Sequence, residues 1–174
     1  MEPLALQLRT LLPADAAEFQ ALRLRGLREA PAAFGSSYEE ERDQPVEAVA
    51  ERIATNRDGF ILGGFEGATL VGIVGMQRER HLKHAHKMVL WGMYVVPDAR
   101  GRGVGRKLVD EALRQAFARP GIRQVNLGVN AANAPALALY QAAGFTSFGL
   151  ERGCMIVDDV LQDEVYMVCM RPGG

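Results

Sequence analysis

The sequence is poor in the features that mark whole classes of protein. Only two cysteines, Cys154 and Cys169, occur among 174 residues. That is too few for a disulfide framework and fits a reducing compartment. Cys169 lies in an alternating apolar run and reads as a small core residue. Cys154 falls in an expected loop with no base near it in sequence. Net charge is almost absent, −1 at pH 7, which excludes a protein that binds polyanions with its whole surface. A nucleic-acid role would need a local basic patch. The dense one, Arg100, Arg102, Arg106 and Lys107, has no interleaved aromatics, so no nucleic-acid partner is expected. No apolar run approaches membrane-spanning length, and no membrane partner is expected either. The opening MEPLALQLRTLLPAD lacks the basic flank and small-residue cleavage site of a signal peptide. The expected location is cytoplasmic.

What is present is a 48% hydrophobic chain, long enough for one domain over residues 1–174 with a real core. LALQLRTLL alternates as a first strand, and Pro13, Ala14 and Asp15 open a helix to about Arg28. EAPAAFGSSYEEERDQ breaks every period, and PVEAVAERIATNR restarts a helix. GFILGGFEG and ATLVGIVGMQRER form two strands around a Glu66-Gly67 turn. HLKHAHK is a polar connection, and MVLWGMYVV, apolar on both faces, reads as a central strand. A helix carrying Leu108, Val109, Ala112, Leu113, Ala116 and Phe117 on one side ends at Pro120-Gly121. The strand IRQVNLGVN, a short helix closed by Gly144, and a closing pair, FTSFGLERG and DEVYMVCMR, complete the chain. This order predicts an α/β fold: one mixed, mostly antiparallel sheet with helices on both faces.

Between the central strand and its helix stands RGRGVGR, Arg100 to Arg106. A helix N-terminus offers unpaired N–H groups and partial positive charge. Glycines let the backbone approach a ligand, and successive N–H groups can form an anion nest, with phosphate the expected guest. Two known phosphate loops do not fit. Counting a G-x-x-x-x-G-K-[ST] loop from Gly101 reaches Arg106, and Lys107 is followed by Leu108, not a hydroxyl. A G-x-G-x-x-G fingerprint from Gly101 or Gly103 meets Arg106 or Leu108 at its last position. The spacing that does fit is R-x-x-G-x-G, filled by Arg100, Gly103 and Gly105.

Here the chain resembles the GNAT superfamily of N-acetyltransferases, whose pyrophosphate loop reads [RQ]-x-x-G-x-[GA] after a central strand. VVPDAR before the loop is similar to the family context. Downstream, Asn133, Tyr140 and Gly144-Phe145 fill its second pattern, N-x(6)-Y-x(3)-G-F. The resemblance runs from about Met88 to Phe145.

The resemblance implies acetyl-CoA as co-substrate, no metal, and an amine of a small molecule or a protein or peptide as acceptor; a homodimer is compatible with it. It implies a central strand splayed from its parallel neighbour, with main-chain groups of Met93, Tyr94 and Val95 pairing with pantetheine. Gly101, Arg102, Gly103, Val104, Gly105 and Arg106 would form the pyrophosphate nest, with Arg100 and the other arginines adding charge-assisted bonds. Asn133 would bind pantetheine, and its position before Pro135 also suits an N-cap. Tyr140, otherwise one more large residue on an amphipathic helix, would protonate the departing thiolate. A phenol with a reference pKa of about 10 is a reasonable donor. A backbone N–H on the central strand, that of Val95, would steady the developing oxyanion.

The base is missing from both usual strand positions. Gly128 stands where ribosomal-protein N-terminal acetyltransferases carry a glutamate, and MVLWGMYVV has none. Glu39, Glu40, Glu41, His81, His84, His86 and a relayed water remain as candidates. The histidines also invite a metal reading, but lack an evident fourth ligand. The missing carboxylate keeps a non-catalytic acyl-CoA-binding module open as an alternative.

Overall fold

The computed structural model describes residues 5–173. The strand expected from Leu4 is β1, Leu6–Thr10; Leu4 itself lies outside the described residues. Helix α1, Ala16–Glu29, follows a 3-10 turn at Pro13–Asp15. The interrupted stretch after it is more ordered than its composition suggests. It holds a 3-10 turn, Pro31–Ala33, and a short helix α2, Tyr38–Glu41. The reason is local: Ser37 Oγ accepts from the Glu40 N–H at 3.3 Å, and Glu40 Oε2 accepts from the Ser37 N–H at 2.7 Å. This capping box satisfies two orphan donors at once. Helix α3 spans Val46–Thr55.

Strands β2 (Gly59–Glu66), β3 (Thr69–Arg78) and β4 (Lys87–Val95) then form an antiparallel meander with β1. Helix α4 (Val104–Ala118), β5 (Gln124–Asn130), α5 (Ala134–Ala142), β6 (Thr146–Val157) and β7 (Val160–Met170) follow. The seven strands make one sheet in the order β1-β2-β3-β4-β5-β7-β6, parallel only between β4 and β5. The central position expected for MVLWGMYVV is therefore found.

The closing hairpin is longer than its apolar pattern implied, because β6 runs past Gly153 to Val157. Its two-residue turn is Asp158-Asp159, at φ 48° and 61°. Both central residues at positive φ match the twist of a tight hairpin, and aspartate tolerates that region better than most residues. As a result Cys154 lies in a strand, not in the loop expected for it.

Two cores flank the sheet. One packs β-strand residues such as Leu62, Met76, Met88 and Val125 against Leu108, Val109 and Ala112 of α4. The other packs Phe19, Leu22 and Leu27 of α1 with Val49 of α3 against Ile73 and Tyr94. Along β5, Val125, Leu127 and Val129 face α4. By the two-residue period of a strand, Asn126, Gly128 and Asn130 face the α1 side.

Candidate active site

The parallel pair separates as it leaves its base. β4 and β5 are in register only over Lys87–Val89 and Gln124–Asn126. Beyond this β4 stays paired with β3 as far as Val95, and β5 with β7 as far as Asn130. Each strand keeps to its own half of the sheet, and a gap opens between them. The register of β3 on β4 shifts between Ile73 and Gly75, opposite Gly92, which sits at φ 63°. A bulge there bends β4 away from β5.

At its open end β4 is anchored on three sides. The Val96 N–H donates to the Val71 carbonyl at 2.9 Å. A trans peptide turns the Val95 carbonyl the other way, and extended backbone places the Val95 N–H on that same side, toward the gap. Arg100 Nε donates to the Val95 carbonyl at 2.9 Å. The Tyr94 side chain turns to the α1 side, where its hydroxyl donates to Glu29. Burial, reinforced by that bond, pushes the Tyr94 phenol up to about 12. Its ring packs against α1 because Gly26 has no side chain; a Cβ there would meet Tyr94 and Phe34 atoms at 3.0 Å.

The loop after β4 has the conformation an anion nest requires. Gly101 and Gly103 lie at φ 72° and 78°, and a Cβ on either would meet no neighbour within 4 Å. They are glycines for their backbone angles, not for lack of room. Gly103 is the N-cap of α4, a helix of 15 residues, so its first N–H groups point out at the loop. Gly105 is different: a Cβ would touch Met93 Cε at 3.3 Å and Leu139 at 3.5 Å. Val104 is buried and fixes the first turn of α4. Arg102 pairs with the half-buried Glu66 at 2.8 Å and Arg106 with the exposed Asp110 at 2.8 Å, and both arginines are exposed. Unpaired strand edges, a glycine cradle and a helix N-terminus in continuity fit a pantetheine arm ending in a pyrophosphate.

On the β5 side, Asn133 caps α5, its Oδ1 accepting from the Ala136 N–H at 3.2 Å. Tyr140 is buried in the α4-side core, edge-on to Phe145 at 5.7 Å between ring centroids. Burial raises the pKa of its phenol above the ordinary tyrosine value.

The expected base candidates lie in two separate places, on α2 and in the β3–β4 connection. Glu41 accepts from Arg23 Nε and Nη2 at 2.6 Å and from Ser36 Oγ at 2.6 Å. Those bonds hold its carboxyl below the usual range against the opposing effect of burial. Glu40 is used in the α2 cap, and Glu39 is exposed. His81 and His84 stack edge-on in the β3–β4 connection, and the His86 carbonyl accepts from the Arg123 N–H at 2.8 Å. That is the closed base of the parallel pair, at the opposite end from the glycine loop. Among the described residues no group of three or more His, Cys, Asp or Glu is placed to hold a metal.

A carboxylate that sequence reasoning missed lies over β5 beyond its last pair with β4. A Cβ built on Gly128 would lie 1.6 Å from Glu164 Oε1 and 2.6 Å from its Cδ. The Glu164 side chain of β7 thus crosses the face of β5 and sets its carboxylate on the glycine. Its Oε2 accepts from Cys154 Sγ at 2.9 Å, and Tyr166 beside it donates to Glu151. The bond to Glu164 pushes the Cys154 thiol up to about 11. Asn130, also missed, is buried and ties the end of β5 to Gln162 Oε1 at 2.9 Å and to the Ala132 N–H at 2.9 Å. The sequence cue for Glu164 was the glycine itself, set among apolar residues of a strand.

On the α1 side, a cleft of about 690 Å³ runs between the Pro31–Glu40 segment and the tip of the β6–β7 hairpin, lined by Phe34, Ser37, Tyr38, Met155 and Asp158 among others. It adjoins the gap through Phe34, whose ring lies 6.4 Å from that of Tyr94.

A splayed parallel pair with a glycine loop at a helix N-terminus defines an acyl-CoA transferase architecture, and comparison with known proteins agrees. The acetyltransferase (GNAT) family profile matches residues 24–145, and the chain belongs to that family. It is 38% identical over 109 residues to the N-alpha-acetyltransferase RimI of Mycobacterium tuberculosis, covering 62% of this chain and 65% of that protein. The chain thus spans less than two thirds of the curated relatives it matches. A GNAT acetyltransferase from Streptococcus pneumoniae superimposes with a TM-score of 0.84 at 24% identity, covering 96% of this chain and all of that one. The yncA protein of Salmonella typhimurium, solved with acetyl-CoA, superimposes at 0.81 with 19% identity, covering 98% and 96% of the two chains.

Proposed function

We propose that this chain is an N-acetyltransferase that moves an acetyl group from acetyl-CoA to a primary amine by direct attack. The observation that carries the reading is the gap between β4 and β5, continuous with the Gly101–Gly105 cradle. Acetyl-CoA supplies the activated acyl group as a thioester. Main-chain groups of Met93, Tyr94 and Val95 line the gap and hold the pantetheine arm, with Asn133 at the opposite wall. The N–H groups of Gly101 through Arg106 bind the pyrophosphate, while Arg102 and Arg106 are free to exchange their surface carboxylates for phosphate, since such pairs are worth little. Arg100 acts from the Val95 carbonyl, where it holds the strand end in place. The Val95 N–H faces the gap and stabilises negative charge on the acyl oxygen. Tyr140 gives its proton to the sulfur.

Much of the rate comes from alignment of the two reactants. The acceptor enters from the α1 side, through the cleft between the Pro31–Glu40 segment and the hairpin. Because Glu41 is neutralised by Arg23, the acidic YEEE run does not by itself select polycations. The M. tuberculosis relative, named as an N-alpha-acetyltransferase, supports a peptide α-amine; a small-molecule amine fits the same cleft. A cytoplasmic setting belongs to the same proposal. No described helix is long and apolar enough to cross a membrane.

The test is acetyl-CoA-dependent thiol release over spermidine, lysine, kanamycin and short peptides with free α-amino groups. Thiol release with at least one class, and the matching acetylated product by mass spectrometry, is the expected result. Tight acetyl-CoA binding without transfer to any of them would leave a binding module.

A further inference from the structure

Gly128 removes a side chain on the α1 face of β5, two residues beyond the last β4–β5 pair at Asn126. The space is not empty. All three atoms nearest to a built Cβ belong to Glu164, the closest being Oε1 at 1.6 Å. The register explains how it arrives. β5 and β7 pair Gly128 with Tyr166 and Asn130 with Glu164. A long side chain at such a diagonal position can cross to its neighbour. Glycine therefore serves as the platform on which a carboxylate from the adjacent strand rests.

That carboxylate is also held and unspent. Cys154 on β6 donates to Oε2, leaving Oε1 over Gly128. Among the described residues no Lys, Arg or His lies within salt-bridge distance of it. The other titratable groups of the cluster, Tyr166 and Glu151, are bonded to each other.

We propose that Glu164 is the general base of the acetyl transfer, delivered to the gap from β7 across Gly128. The proposal rests on the acetyltransferase reading above. The acceptor arrives as an ammonium ion. One N–H proton passes to Glu164 Oε1, and the freed lone pair forms the N–C bond to the acyl carbon. The C–S bond breaks with its electron pair on sulfur, and the Tyr140 phenol protonates it. The nitrogen gives up its second proton, which restores Tyr140 through solvent, and Glu164 releases the first. The net products are the amide, the free thiol and one proton.

Three variants test this together, each checked for an unchanged melting temperature. Glu164→Gln lowers kcat/KM by about 100-fold or more and leaves the acetyl-CoA Kd within about twofold. Gly128→Ala keeps the glutamate, but its methyl group takes the position of Oε1; a flexible side chain can swing away at little cost in stability, and activity falls by about tenfold. The double variant Gly128→Glu with Glu164→Gly moves the carboxylate to β5 and recovers activity to within about tenfold of wild type.

A readout independent of any acceptor is alkylation of Cys154 by iodoacetamide, located by peptide mass spectrometry. It speeds up in Glu164→Gln, because the thiol loses the bond that raises its pKa. An active wild type whose Glu164→Gln variant keeps its kcat/KM overturns the proposal alone. A wild type that binds acetyl-CoA but transfers to no amine overturns the acetyltransferase reading and this proposal with it.

Discussion

The two walls of the active-site gap are built in opposite ways. The β4–α4 wall is one continuous segment, and what it offers is backbone: strand-edge groups from Met93 to Val95, then N–H groups presented by Gly101 and Gly103 at left-handed φ. The wall proposed for the acceptor is made of side chains brought together from far apart. Glu164 of β7 meets Gly128 of β5 and Cys154 of β6. Their burial differs as well. β4 contains Met88, Leu90, Tyr94 and Val95 in the core, while β6 has no buried residue and exposes Phe148, Leu150 and Ile156. A backbone-made wall suits a donor that never changes, whereas a side-chain wall can be altered residue by residue to suit an acceptor.

If this division is right, variants of one wall should leave the other's kinetic constants alone. The largest effect is expected at Tyr140, the proton donor of the proposed reaction. Tyr140→Phe should lower kcat on the order of 100-fold, with acetyl-CoA Kd from calorimetry changed less than about twofold; an unaltered kcat would remove the phenol from proton transfer.

Next is the α1–α2 tie. Glu41→Ala strands the Arg23 guanidinium, half-buried between Phe34 and Trp91, whose Nη1 already lacks a partner. A loss of about 2 kcal/mol in urea unfolding is expected, together with a raised acceptor KM and an unchanged acetyl-CoA Kd.

Smaller again is Gly103→Val. A branched residue in left-handed backbone costs roughly 1–2 kcal/mol, so acetyl-CoA Kd should weaken about tenfold while acceptor KM holds. If both constants move together, the two walls are not independent.

The smallest effect is on pH stability. Glu111, held at about 2 by Arg114 and Gln115, and Glu41 and Asp15, lowered by Arg23 and Arg9, have folded pKa values below their unfolded ones. Their stabilisation is present above the unfolded carboxylate pKa and is lost as pH falls through the folded values. Cys154 and Tyr94, raised to about 11 and about 12, act in the other direction. Their contribution is present below the unfolded pKa values of 9.0 and 10.0 and is lost as pH rises through the folded ones. A thermal midpoint that is flat at neutral pH and falls by a few degrees at both ends is expected from scanning fluorimetry.

Strand and helix order, the central place of MVLWGMYVV and the caps at Asn133 and Gly144 were all legible, because each depends on residues within a few positions of one another. Ser37-x-x-Glu40 was equally local, but its capping box was hidden inside a stretch rich in glycine, serine and proline. The length of β6 was not legible. None of its residues is buried, so alternation was weak, and its extent follows from hydrogen bonding to β7 and the Asp158-Asp159 turn.

By itself the sequence determined the glycine loop at the start of α4. The spacing of Arg100, Gly103 and Gly105 specifies a backbone shape within seven residues, and backbone shape is a local property. Only the tertiary structure decided what stands over Gly128. In sequence Gly128 reads as the loss of a carboxylate; in the fold it is the space that admits one. The physical reason is register: hydrogen bonding between β5 and β7 brings Glu164 to a glycine far from it in sequence, and nothing local to either residue records that meeting.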